Sequence, residues 1–330
     1  DLDEAALSKA RESFAQKYAN RFDVAEVMNW PLATFLDRAH VTQHGEITRT
    51  TLLLLGKPES AWRLSPHPAQ ITWKLDGPER AYEHFGPPFL LNTTQLYQRI
   101  RNIQLRLLPQ DELLPVEVSK YDQKIVLEAL HNCIAHQDYS RNGRVVVIEQ
   151  PDRLIFESEG SFFEGKPDDY LEGNKVPRRY RNPFLAQAMA ELNMIDTMGY
   201  GIHDMHARQA RRYLPMPDYD LSEPDCVRLT IYGGVVDPAY SRLLIQKTDL
   251  PLLAVAAAAD FPAAVAAALR QKADAGGASP PLPAVDTSVP TWAERVEVMR
   301  SVVKTVAAQR LSSHRPAVAI AHDYLTQRGG

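Results

Sequence analysis

The chain has 330 residues, enough to bury a sizeable core across two or three domains. Its net charge of −4 and 24% charged residues exclude a global basic bias, so any nucleic-acid contact has to come from a local patch. The two cysteines, Cys133 and Cys226, lie in apolar stretches without CxxC spacing, which argues against a disulfide or zinc framework and fits reduced core residues in a cytoplasmic protein.

In chain order, "DLDEAALSKARESFAQKYAN" (1–20) has helical apolar spacing and an acidic first turn that complements the helix dipole. A second helix is predicted over 24–40. "GEITRTTLLLLG" reads as a polar turn feeding a buried apolar element, and "AQITWKLDG" alternates like a strand and closes on Asp-Gly. "HFGPPFLLN" is a predicted loop, followed by a helix over "TTQLYQRIRNIQ". Residues 1–110 thus read as a mixed α/β connector region with no evident chemistry.

The pattern tightens over 111–246. A helix is predicted over 119–135, then an "RNG" turn, then two strands, "RVVVIEQ" and "RLIFESEG", joined as a hairpin through Pro151-Asp152. A polar loop covers 161–181. "NPFLAQAMAELNMI" is a helix with Pro183 at its start, where a missing N–H costs nothing. "DTMGYGIHDMHARQARRYL" is a glycine turn running into another helix, and "CVRLTIYG" is a closing strand. This order predicts one sheet covered by helices on one face. Residues 247–330 turn Ala-rich, then Pro/Gly/Ser-rich, which reads as a weak helix and a poorly ordered linker before an amphipathic helix, "WAERVEVMRSVVKTVAAQRL". The longest apolar run, "LPLLAVAAAADF", is short and interrupted by Asp260, so no membrane span is expected. The chain opens on Asp1 and stops on Gly329-Gly330, and reads as a piece of something longer.

Three constellations could carry chemistry. Glu128, Asn132 and His136 fall four residues apart and so share one helix face. An acid can orient and deprotonate a water, and an amide oxygen is a neutral ligand for a hard cation such as Mg2+. A solvated helix face produces the same spacing, because i,i+4 polar pairs are commonplace. "MGYGI" places Gly199 and Gly201 just before a helix, where backbone N–H groups could approach a phosphate, as could any tight turn. "KVPRRYRNP" gathers Lys175, Arg178, Arg179 and Arg181 in a loop that could neutralise phosphates or simply be solvated. The P-loop, HExxH and GxSxG patterns are missing from the sequence.

The order of these signals resembles a known family. "VLEALHNCIAHQDYS", "DRLIFESEG", "RNPFLAQAMAELNMIDTMGYGIHDM" and "LTIYGG" together resemble the RecG-like C-terminal domain, a divergent relative of the GHKL (Bergerat-fold) ATPases found in bacterial transcriptional regulators. The resemblance covers about 115–236 and implies an α+β fold, a GHKL-like sandwich with a mixed sheet covered by helices on one face. It implies ATP and Mg2+ as cofactors. Glu128 then matches the water-activating acid, and Asn132 the Mg2+-binding amide. His136 and Asp138 belong to the family's helix-end signature; Glu159 and Gly160 stand at the first glycine box, Gly199 and Gly201 at the second. Arg181 joins the cofactor-binding set, and 161–198 would be the ATP lid. The better-known ATPases carry D-x-G-x-G in the first box, with the Asp reading the adenine amino group, whereas this chain has "ESEGSFFEG". That departure leaves hydrolysis open and favours, as an alternative, a DNA- or protein-binding scaffold without nucleotide.

In such proteins a Schlafen-type AlbA domain usually precedes this point, so DNA is an expected partner through parts outside this chain, and a homodimer an expected assembly. The final "AVAIAHDYLTQRGG" resembles the N-terminus of a glycosyltransferase, too short to transfer sugar.

Overall fold

The computed structural model describes residues 1–107, 116–171, 173 and 175–234. The expected Ala-rich helix, linker, amphipathic helix and glycosyltransferase-like end lie outside these residues. Helix α1, Glu4–Lys17, is capped by the Asp3 carboxylate accepting from the Ala6 amide at 2.8 Å. The single helix expected over 24–40 is two, α2 (Val24–Asn29) and α3 (Leu32–Arg38). The break falls at Trp30, held extended at φ −61°, ψ 143° because Pro31 follows it. A two-residue ladder, β1 (Thr42–Gln43) with β2 (Glu46–Ile47), leads into α4, Arg49–Leu55. Thr48 and Thr51 close a reciprocal capping box at its start, and its leucines are all buried.

Strand β3 is Ile71–Asp76, and β4, Arg80–Phe85, pairs with it antiparallel. Sequence reading missed β4, because Arg80, Glu83 and His84 expose most of that edge strand and remove its apolar alternation. Helix α5, Phe89–Arg99, starts four residues before the expected position, directly after Pro88. Strands β5 (Gln104–Leu107) and β6 (Val116–Ser119) pair antiparallel. Helix α6, Gln123–His136, begins at Asp122, whose carboxylate accepts from the Lys124 and Ile125 amides. Then come β7 (Val145–Glu149) and β8 (Arg153–Glu159), the expected hairpin, and α7 (Pro183–Glu191), α8 (Tyr200–Arg211), β9 (Asp218–Asp220) and β10 (Cys226–Tyr232).

The fold is an α+β sandwich on a six-stranded mixed sheet of order β4-β3-β7-β8-β10-β9. The β3–β7 pair is parallel, so β3 and β4 from the upstream region share a sheet with the downstream hairpin. Their registers align buried rows: Trp73 faces Val147, which faces Phe156, and Leu75 faces Glu149, which faces Leu154. Alternate residues on β7 and β8 are buried on one face only, against which α6 packs Ile125, Leu130 and Ile134. Each such side chain contributes roughly 1.5–3 kcal/mol of hydrophobic stabilisation.

The chain divides into two compact units. The first comprises Asp1–Ile103, Tyr121–Ile202 and Tyr219–Thr230 and holds β3, β4, β7, β8 and α1 to α7. The second includes Gln104–Lys120, His203–Asp218 and the end of β10 from Ile231. Within it, Arg106 pairs with Glu117 at 2.7 Å across the β5–β6 hairpin, and the Gln209 amide donates to the Pro215 and Tyr232 carbonyls. No helix among the described residues is long and apolar enough to cross a membrane.

Candidate functional site

The site lies wholly within the first unit, in a cavity of about 120 Å³ walled by α6, the end of β8, the 161–181 loop and the turn before α8. That volume holds on the order of ten water-sized centres, so it is sized for a ring system rather than for one structural water. Its walls are aromatic, with Phe156, Phe162, Phe163, Tyr170, Tyr180 and Tyr219. Polar side chains enter between them, from Glu128, Asn132, His136, Ser158, Ser161, Glu164, Arg179 and Asp196.

Helix α6 presents Glu128, Asn132 and His136 to this cavity, while Ile125, Leu130 and Ile134 bury its other side. The Asn132 Nδ2 donates to Glu128 Oε1 at 3.1 Å, which leaves the amide oxygen as the atom available to a cation. His136 stacks on Tyr180, with ring centroids 5.6 Å apart and planes 19° from parallel. Burial, and then the Arg181 charge, lower its pKa to about 4, so its imidazole is neutral at pH 7.

The turn before α8 is built by Asp196, whose carboxylate accepts from the Met198 amide at 3.1 Å and the Tyr200 amide at 3.2 Å. Gly199 sits there at φ +85°, and a Cβ on it would overlap the Lys175 carbonyl. Gly201 lies in the first turn of α8, and a Cβ on it would collide with the Glu128 carboxylate. Both glycines line the cavity.

Glu128, Asn132, His136, Gly199 and Gly201 therefore come together, whereas Asp138, Glu159, Gly160 and Arg181 do not line the cavity. These four form a neighbouring structural cluster. Asp138 accepts from the Ser140 hydroxyl at 2.6 Å and its amide at 3.1 Å; the hydroxyl is the main cause holding its carboxyl below the usual range. Glu159 pairs with Arg141 at 3.1 Å. Gly160, at φ +100°, donates its N–H to the Asp225 carbonyl, and a Cβ there would press on Asp138 and the Arg181 guanidinium. Each nitrogen of Arg181 is engaged: Nε donates to the His136 carbonyl at 3.1 Å, Nη2 to the Ser161 carbonyl at 2.9 Å, and Nη1 faces Asp138 at 3.4 Å.

Sequence reasoning missed Ser158. The period-two alternation of β8 puts Leu154, Phe156 and Ser158 on the buried face and Glu157 and Glu159 on the other. The residue facing the cavity at the strand's end is thus a hydroxyl, not an acid. That signal was present in the alternation itself.

The segment expected as a lid, 161–198, includes helix α7. Helix α7 is tied to α1 by Lys17 Nζ donating to the Ala190 carbonyl at 2.7 Å and the Tyr18 hydroxyl donating to Glu191 at 2.6 Å. Asn182, just before α7, donates to the Ala135 and Gln137 carbonyls. The 161–181 loop is closed on itself by Glu164, whose Oε2 accepts from the Arg178 and Arg179 amides at 3.1 and 2.7 Å.

Among the described residues no group of three His, Cys, Asp or Glu side chains is arranged to hold a metal ion. A cation here would rest on Asn132, with Glu128 beside it and the ligand's own oxygens.

Residues 143–231 match the family model HATPase_c_4, described as "Putative ATP-dependent DNA helicase recG C-terminal". The match covers the hairpin, the 161–181 loop, both cavity glycines and most of β10, and begins after α6, so Glu128 and Asn132 stand outside it. Residues 1–71 match a "Domain of unknown function (DUF8451)". No curated protein matches the sequence. A solved structure, that of the DIP2311 protein from Corynebacterium diphtheriae, is similar at a TM-score of 0.52 and 19% identity, over 71% of this chain. This chain spans 45% of that one, and the likeness is one of fold.

Proposed function

We propose that the first unit is a nucleotide-binding module that takes ATP with Mg2+ in the cavity between α6 and the turn before α8. One observation carries the reading. Two segments distant in sequence, 128–136 and 199–201, meet at a single aromatic-walled cavity, the second of them inside the ATPase-like family match. In this reading the apolar rings hold the base and Ser158 meets its edge at the end of β8. Mg2+ would bridge the phosphates to the protein and neutralise part of their charge. The residues suit that role: the Asn132 oxygen is a hard neutral donor, and Gly201 leaves the space that a Cβ would fill. Glu128, held by the Asn132 amide, is oriented to accept a proton from a water at the phosphate end.

The module's role in the cell is then regulatory: nucleotide favours one state of the 161–181 loop, and that preference passes to attached DNA-binding or dimerising parts of a cytoplasmic transcriptional regulator. The test is titration of the purified chain with a fluorescent ATP analogue, with and without Mg2+. Saturable, Mg2+-dependent binding supports the reading; none by a folded chain removes it.

A second reading is favoured by Ser158. With a hydroxyl where an acid would read the adenine amino group, the fold serves as a DNA- or protein-binding scaffold without nucleotide. It predicts nucleic-acid binding that weakens steeply with salt.

A further inference from the structure

Of the basic residues in the 161–181 loop, Arg179 differs from the others in what it touches. Lys175 is paired with Asp169 at 2.7 Å, and Arg181 is bound to the His136 and Ser161 carbonyls and to Asp138. Arg178 is exposed and does not line the cavity. Arg179 does line it, its side chain is exposed, and among the described residues no carboxylate or carbonyl engages its guanidinium. Its backbone is nonetheless fixed, since the Arg179 amide is the shorter of the two bonds to Glu164, which lines the cavity as well. A fixed backbone carrying an uncommitted cation at the mouth of an aromatic cavity is the arrangement that phosphate recognition requires.

We infer that Arg179, not Arg181, is the residue that contacts the phosphates of the bound nucleotide, and that Glu164 positions it. This rests on the nucleotide reading above. The guanidinium offers two parallel N–H donors to phosphate oxygens, whereas each of the three Arg181 nitrogens already bonds a protein acceptor. The Arg178 and Arg179 backbone N–H groups converge on the Glu164 carboxylate, which fixes the backbone at Arg179 before any ligand arrives.

The experiment compares ATP, ADP and AMP binding to the wild-type chain, Arg179→Ala, Arg179→Lys and Arg178→Ala, each checked for folding by circular dichroism. Expected is a fall of roughly 10- to 100-fold in ATP affinity for Arg179→Ala, a smaller fall for ADP, little for AMP, and partial recovery in Arg179→Lys. Arg178→Ala carries the same charge change and is expected within twofold of wild type. Equal losses for all three nucleotides, or equal losses in Arg178→Ala, overturn the assignment while leaving the nucleotide site in place. Failure of the wild-type chain to bind any of them overturns both.

Discussion

The Glu128 carboxylate rests directly against the backbone of Gly201, so closely that no Cβ could stand between them. Seventy-odd residues of hairpin, loop and helix separate the two, and the fold returns the glycine to the acid's side. The clashing atom is the end of a flexible side chain, so Gly201→Ala is expected to push Glu128 aside rather than break the fold. Alanine in a helix is favoured over glycine by about 1 kcal/mol. The variant should therefore melt at or above the wild-type temperature while losing at least about tenfold in nucleotide affinity. Thermal melting and titration on one preparation check both halves; joint loss of stability and binding would contradict this account of Gly201.

Arg181 and Arg179 lie two residues apart and should behave differently. Arg181 joins the loop to the end of α6 through the His136 and Ser161 carbonyls and is mostly buried. Removing it leaves those carbonyls and Asp138 without their charged partner. Arg181→Ala is expected to cost roughly 2–3 kcal/mol in a urea melt, with nucleotide affinity of the folded protein little changed.

Two histidines set a pH dependence. Burial lowers the pKa of His131 to about 4, its Nδ1 lying 2.7 Å from the Met194 carbonyl, and that of His136 to about 4 as well. Both values fall below that of an unfolded histidine, so the unfolded chain binds more protons in this window. Stability is then complete above about pH 6.5 and is lost as pH falls toward 4. At pH 5 each histidine should contribute a loss of about 1–2 kcal/mol. Urea melts from pH 7 to 4.5 check this, and His136→Asn should remove about half of the slope.

Glu149 is fully buried and accepts from the Trp73 indole at 3.0 Å and from Arg101 Nε at 3.2 Å. It joins β7 to the chain after α5. Glu149→Ala leaves the buried Trp73 indole without its acceptor, while half-exposed Arg101 can turn to water, and is expected to destabilise by roughly 1–3 kcal/mol, with altered Trp73 emission in whatever fraction folds. A loss under about 1 kcal/mol would contradict the role given to it.

Much of the fold was legible because its signals are local. Pro183 opening α7, the alternation of β3 and the β7–β8 hairpin through Pro151-Asp152 each need only a few neighbouring residues. What was not legible depends on distance or on exposure. Strand β4 has no apolar alternation because it is an edge, and the parallel β3–β7 pair leaves no trace in either strand alone. Within the site, helical spacing correctly gathered Glu128, Asn132 and His136 on the cavity side, but a basic cluster does not say which arginine is already engaged. Arg181 differs from Arg179 through the His136 and Ser161 carbonyls and the Asp138 carboxylate that it engages. Ser158 could have been found by counting along β8, where a two-residue period separates it from Glu159.

The most direct test is calorimetric titration of ATP into the wild-type chain and Asn132→Ala, with Mg2+ and with a chelator. The account predicts wild-type binding that weakens at least about tenfold without Mg2+, and an Asn132→Ala protein that folds normally yet binds weakly and indifferently to Mg2+. Equal, Mg2+-dependent binding by both proteins would contradict the placement of the cation beside Asn132. No binding by either would contradict the nucleotide site itself.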